Sequence, residues 1–216
     1  MSKNFKIDYQ REERIGFQEV VFGASKTIGQ LDAIVRDFRT NKKSCLITRV
    51  QAEKADILCQ EYKPNHYDAV SQTLLIGEYP KEPLEGEVAI LSGGTSDQYL
   101  VNEIYHCLLY VGRKAERFQD IGVAGVHRLL NNIDELKKFR VLVVVAGFEG
   151  ALPTVVGGLL PQPIIGVPAS VGYGIGEGGK VALYSMLTSC ANGITVVNID
   201  NGYGAAMAAY RIINGK

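Results

Sequence analysis

The side chains able to do chemistry sit at the ends of short apolar runs. Cys190 lies in SCANG, after an apolar helical pattern and just before the β-branched run GITVV. A thiolate is a nucleophile. An internal cysteine, however, is most often a small buried hydrophobe, and the negative end of a helix disfavours the thiolate. On local grounds Cys190 therefore reads as a core residue. Glu149 follows the run RVLVVVAGF between Gly147 and Gly150, at the mouth of a helix. There it serves either as a favourable first-turn charge or as a carboxylate facing a ligand across a crowded turn.

Four further stretches have the same form. SGGTSD carries Thr95, Ser96 and Asp97 into the first turn of a helix, where backbone N–H groups and hydroxyls bind phosphate. Ser96 or Asp97 can equally be a simple helix cap. The stretch is neither GxGxxG nor a GK[ST] phosphate loop. GVAGVHRLL sets His127 beside Arg128 after a glycine turn, as an acid or base, a carboxylate holder or an exposed pair. VPASVGYGIGEGG brings Ser170, Tyr173 and five glycines within 172–179, which reads as a mobile or ligand-wrapping loop with Tyr173 able to stack on a flat ring. NIDNGYG adds Asp200 and Asn201.

The elements that must position these residues follow from periodicity. From about residue 87 the runs EVAILSGG, AERFQDIGV, RVLVVVAG, QPIIGVPAS and GITVVNID alternate with helical stretches. That is βα alternation around a buried parallel sheet. Ligands of such sheets sit beyond the carboxyl ends of the strands, so these loops should converge. Residues 1–84 differ in texture. Ile28, Leu31, Ile34, Val35 and Phe38 fall at helical spacing with Ser25 as N-cap, CLITRV reads as a strand, and QAEKADILCQEY as a second helix. GEYPKEPLEGE then reads as a linker. The expectation is a small α/β module over 1–84 and a three-layer αβα domain over 85–216.

Bulk properties narrow the partners. The chain has 216 residues, 46% of them hydrophobic, and 23 basic residues balance 23 acidic ones. No global field favours nucleic acid or an acidic membrane surface, and no run is long enough to span a bilayer. MSKNFKIDYQREER does not read as a signal peptide, and four scattered cysteines read as reduced thiols of a cytoplasmic protein. Only the first few residues are disordered by composition.

Taken in order, SGGTSD, DIGVAGVHRLL, AGFEGALP, VPASVGYG, SCANG and VVNIDNGYGAA closely resemble the LarB family, the pyridinium-3,5-biscarboxylic acid mononucleotide synthases of nickel-pincer cofactor biosynthesis. DYQREERIGFQEVVFGASKTIGQL resembles the start of that family. The same region is more distantly similar to the PurE-type aminoimidazole ribonucleotide carboxylases and mutases. Phe148 and Ala169 stand where the LarB family often has methionine and threonine.

The resemblance implies a PurE-like or flavodoxin-like fold and a symmetric homo-oligomer, an octamer, with sites near subunit interfaces. It implies nicotinic acid adenine dinucleotide as substrate, CO2 or bicarbonate as co-substrate, and a divalent ion such as Mg2+ with Asp97 as one candidate ligand. Cys190 matches the family's nucleophile, and Glu149 is the candidate base or hydrolysis residue. Thr95, Ser96, Asp97, His127, Arg128, Gly147, Gly150, Ser170, Tyr173, Asp200 and Asn201 would hold the substrate. The rival readings are an aminoimidazole ribonucleotide carboxylase or mutase, which has no use for the thiol, and a non-catalytic dinucleotide-binding protein.

Overall fold

The computed structural model describes residues 5–215. Residues 1–4, whose composition reads as disordered, lie outside the described residues. The chain divides into two compact units, one ending at Lys81 and the other beginning at Glu82.

The first unit runs α1 (Arg11–Ile15), β1 (Val21–Phe22), α2 (Ile28–Thr40), β2 (Cys45–Thr48), α3 (Ala52–Glu61), β3 (Asn65–Asp68) and β4 (Thr73–Ile76). Its sheet order is β1-β2-β4-β3, with β1 parallel to β2 and the other pairs antiparallel. The helical spacing holds: Leu31, Ile34, Val35 and Phe38 of α2 are buried and pack with Ile47, Leu74 and Ile76. The cap is Thr27 rather than Ser25. Thr27 Oγ1 accepts from the Gln30 N–H, and the Gln30 side chain accepts in return from the Thr27 N–H.

The second unit comprises β5 (Leu84–Ser92), α4 (Gln98–Tyr110), β6 (Arg113–Phe118), α5 (Val126–Leu130), α6 (Ile133–Leu136), β7 (Val141–Ala146), α7 (Leu152–Leu159), β8 (Ile164–Pro168), α8 (Lys180–Leu187), β9 (Ile194–Val196) and α9 (Gly202–Asn214). Its five strands are all parallel in the order β6-β5-β7-β8-β9. β7 is buried along its whole length because helices cover both faces of the sheet. Leu129, Leu136, Leu152, Val156 and Met186 close one face over Leu91, Leu142 and Val144. α4 and α9 pack together on the other.

Two expectations change here. β5 begins at Leu84, inside the stretch read as linker, because Leu84 and Glu85 pair with Arg113 and Lys114 before the register shifts. Lys114 reinforces that pairing with a salt bridge to Glu85 at 2.7 Å. The glycine-rich loop is not open coil either: Gly174–Gly179 winds into short 3-10 turns interrupted at Glu177 and Gly178.

Candidate active site

In sequence order from β5, the sheet follows the doubly wound pattern 2-1-3-4-5, whose connections diverge between β5 and β7. A crevice must open at the carboxyl ends of those two strands. A cavity of about 330 Å3 lies there, at the lower end of small-molecule pockets, roughly 300–1,000 Å3. Ser96, Asp97, Arg128 and Glu149 supply its polar lining, while Val123, Ala146, Phe148, Leu152 and Val171 supply most of its apolar lining.

The loops interlock because glycine lets backbone meet backbone. A Cβ at Gly122 would lie 2.4 Å from the Gly93 carbonyl oxygen, so the loop after β6 seats directly on the loop after β5. The Ile121 N–H also donates to the Ser92 carbonyl at 3.1 Å. Across the crevice, a Cβ at Gly147 would lie 2.4 Å from the Val171 carbonyl oxygen. Val171 in turn accepts from the Phe148 N–H at 2.8 Å.

Asp97 is buried, and its carboxylate turns back to accept from the Gly94 N–H at 3.0 Å. It shapes the loop that presents Ser96 at the mouth of α4. Burial pushes its carboxyl above the usual range, and the Gly94 and Gly93 amides oppose that shift. Ser96 lines the cavity, while Thr95 is exposed on the same turn and outside the lining. Arg128 reaches the cavity and is ion-paired with Asp120. His127, its neighbour on α5, is exposed and outside the lining.

Glu149 lines the cavity and is exposed, in a turn where Phe148 and Gly150 both take positive φ. Gly150 is buried instead against α8, where a Cβ would lie 2.7 Å from the Ala182 Cα. Ser170, Asp200 and Asn201 are engaged inside the protein. Asp200 accepts from the Ser170 N–H at 2.8 Å, and Asn201 caps α9 by accepting from the Gly204 N–H at 2.8 Å. Tyr173 is 80% exposed and meets Phe148 edge-on at 5.6 Å between ring centroids. Ala169 is fully buried, so it offers no face to a ligand.

The structure corrects the local reading of Cys190. The thiol is exposed, not in the core. Cys45 and Cys107 are the buried cysteines, and burial raises both thiols far above their ordinary value. Cys190 sits in the 188–193 connection that feeds the amino end of β9, where Ile194 pairs with Ile164, the first residue of β8. The cavity is at the carboxyl end, about 13 Å further along β8. Cys190 is outside its lining.

Asp97 is also the candidate metal ligand, and its carboxylate is spent on loop amides. Among the described residues, no group of three or more His, Cys, Asp and Glu side chains gathers to hold an ion. The side chains present do not fit an ion caged by protein alone. No helix of the described residues is long and apolar enough to cross a membrane.

The sequence reading missed Val123, Phe148, Val171 and Tyr99. The first three are ordinary apolar residues, and only their place after β6, β7 and β8 marks them. Tyr99 looked like one more residue of a helical pattern, yet its hydroxyl donates to Asp200 at 2.5 Å.

Residues 2–78 match the LarB/PurE-like N-terminal domain, and residues 87–216 match AIR carboxylase. An uncharacterised protein of Methanocaldococcus jannaschii is 36% identical over 97% of this chain and 84% of its own length. The N5-carboxyaminoimidazole ribonucleotide mutase of the same organism is 28% identical over 58% of this chain and 78% of its own length. The crystal structure of Treponema denticola PurE superposes with a TM-score of 0.50 at 22% identity, over 60% of this chain and 80% of that one, and so shares the fold. With a crevice at the divergence of a 2-1-3-4-5 sheet and both of its units matched, the chain belongs to the AIR carboxylase family and carries the LarB/PurE-like N-terminal domain.

Proposed function

We propose that this carboxylase-family protein is a pyridinium-3,5-biscarboxylic acid mononucleotide synthase acting in nickel-pincer cofactor biosynthesis in the cytoplasm. It takes nicotinic acid adenine dinucleotide, carboxylates the ring with CO2 and releases AMP. The observation that carries the reading is the exposed thiol of Cys190 in a chain whose other cysteines are buried or half-buried. An aminoimidazole ribonucleotide needs no such group.

A pyridinium ring is too electron-poor to attack CO2. Addition of the Cys190 thiolate to the ring gives a neutral dihydropyridine whose enamine carbon is nucleophilic. That carbon forms the bond to CO2, loses its proton to a base, and the ring expels the thiolate to recover aromaticity. No electrons are exchanged with an outside partner. Water then attacks the phosphoanhydride, with AMP as leaving group. Glu149 is the base for one of these proton transfers, Ser96 and the mouth of α4 hold phosphate, and Arg128 pairs with a carboxylate or phosphate. A Mg2+ ion serving here would arrive on the pyrophosphate, since such ions keep few protein ligands.

Cys190 and the cavity occupy opposite ends of one sheet, so the proposed site is shared between copies in a homo-oligomer, the octamer that the resemblance implies. Leu159, Tyr184 and Leu187, exposed on α7 and α8, support a contact between copies on the face that carries Cys190.

The test is incubation with nicotinic acid adenine dinucleotide, bicarbonate and Mg2+, with mass spectrometry for AMP and the dicarboxylated mononucleotide. Cys190→Ala should abolish carboxylation and leave dinucleotide binding intact. Mixed oligomers of Cys190→Ala and Glu149→Gln should regain part of the activity, because some interfaces pair an intact thiol with an intact carboxylate. Full activity of Cys190→Ala sinks the covalent route. A second reading, aminoimidazole ribonucleotide carboxylation, is favoured by the 28% identity to the mutase. Turnover of carboxyaminoimidazole ribonucleotide in place of the dinucleotide would establish it.

A further inference from the structure

One hydrogen-bonded cluster links the two walls of the cavity. Tyr99, in the first turn of α4, donates its hydroxyl to Asp200 Oδ1 at 2.5 Å, and the Ser170 N–H donates to the same oxygen at 2.8 Å. The Tyr99 hydroxyl also lies 3.4 Å from Ser170 Oγ. Asp200 holds a left-handed backbone at φ +57°, which aspartate, like asparagine, adopts more readily than most side chains, and its N–H donates to the Pro168 carbonyl at 2.9 Å. One residue beyond Ser170, Val171 lines the cavity, and its carbonyl accepts from the Phe148 N–H. Phe148 leads directly to Glu149. The contacts therefore run unbroken from the loop that presents Ser96 to the turn that presents Glu149.

We infer that Tyr99 and Asp200 are positioning residues: they set the Ser170–Val171 segment, and through it the Phe148–Glu149 turn, against the Ser96 loop. Neither touches the cavity itself. Burial first, and the Asp200 carboxylate second, hold the Tyr99 phenol far above its ordinary value, so it remains a donor throughout the working pH range. A charge-assisted bond of this kind is short and strong, and its loss shifts the geometry at the far end of the chain of contacts.

The inference rests on the proposed activity for its kinetic readout and is independent of it for its structural one. Wild type, Tyr99→Phe, Asp200→Gly and Asp200→Asn are compared in AMP release and in hydrogen exchange of the peptide containing Phe148. Asp200→Gly removes the acceptor while keeping the left-handed backbone accessible, and its added chain freedom is controlled by Tyr99→Phe, which removes a bond of the same cluster without touching the backbone. Tyr99→Phe removes one oxygen and leaves the core packing as it is. Both variants should lower kcat about tenfold with KM little changed. Asp200→Asn should recover most of the rate, since its amide oxygen still accepts and asparagine tolerates the left-handed backbone. The Phe148 peptide should exchange faster in Asp200→Gly. Unchanged kcat in both Tyr99→Phe and Asp200→Gly overturns the inference, as does wild-type protection of the Phe148 peptide in Asp200→Gly. If wild type releases no AMP, the proposed function fails instead, and the exchange comparison alone decides the positioning role.

Discussion

The Ser189 and Thr154 hydroxyls lie 2.7 Å apart, and that bond ties the Cys190 loop to the first turn of α7. Ala191 completes the attachment, sitting where a Cβ on Gly157 would approach its own to 3.0 Å. The loop is held from beneath while the thiol beyond it is exposed. Iodoacetamide should therefore modify Cys190 well before Cys45 and Cys107, which are fully buried. Peptide mapping after timed alkylation checks the order, and added nicotinic acid adenine dinucleotide should slow only the Cys190 reaction. Equal rates at all three thiols would remove the case for a presented nucleophile.

Among the described residues, Glu149 is the only glutamate in the cavity lining. Glu149→Gln keeps the shape and removes the carboxylate proposed as base, so product formation should drop by roughly 100-fold or more. Dinucleotide affinity, measured by calorimetry, should hardly change. A normal rate of AMP release together with normal carboxylation would take Glu149 out of the chemistry.

Arg128 reaches the cavity from α5 and is steadied by Asp120. Arg128→Met keeps most of the aliphatic bulk and removes the charge. Dinucleotide binding should weaken about tenfold to a hundredfold, in line with one or two lost bonds to an anion. The wild-type affinity should also fall as salt rises, and the variant should depend on salt less.

Gly147 has no room for a methyl group against the Val171 carbonyl. Gly147→Ala should cost about 1–3 kcal/mol of stability, the usual range for overpacking. Urea denaturation measures it. Because Val171 must move, dinucleotide binding should weaken in the same variant.

Asp97 has a carboxyl raised above its ordinary 3.8 by burial, against the pull of two backbone amides. A folded-state value above the unfolded one means that folding favours the protonated form. The stability that this contributes is fully present below pH 3.8 and is lost as pH rises through the folded value. Asp97→Asn is uncharged and can still accept from the Gly94 N–H. It should therefore melt higher than wild type at pH 7, with the difference shrinking as the pH falls toward 4. A difference that grows on acidification would show that the amides outweigh burial.

The periodicity of the second unit was enough to give a parallel sheet alternating with helices. Runs such as VLVVVA, apolar at every position, can be satisfied only by a sheet covered on both faces, and the helical stretches between them force a parallel arrangement. The glycines at the strand ends also announced where backbone would approach backbone, as at Gly122 and Gly147. Pattern carried less in the first unit. The polar strand β3, NHYD, has neither alternation nor an apolar run, and is held in place by pairing with β4.

The candidate residues themselves were legible because charge, hydroxyl and thiol at a strand end or a helix mouth are chemically conspicuous. Their division of labour was not. Asp97, Asp200 and Asn201 have the same look as Ser96 and Glu149 in the sequence, yet the first three are engaged by backbone amides while the other two are exposed at the cavity. Which partner an acceptor finds depends on chain segments far away in sequence, such as Tyr99, which is 101 residues from Asp200. Local order thus determined the layered fold and the set of groups available for chemistry. Tertiary structure alone decided which of them face the cavity, which hold the loops, and that Cys190 lies at the opposite end of the sheet, because hydrogen-bond partners and strand polarity exist only once the chain has closed on itself.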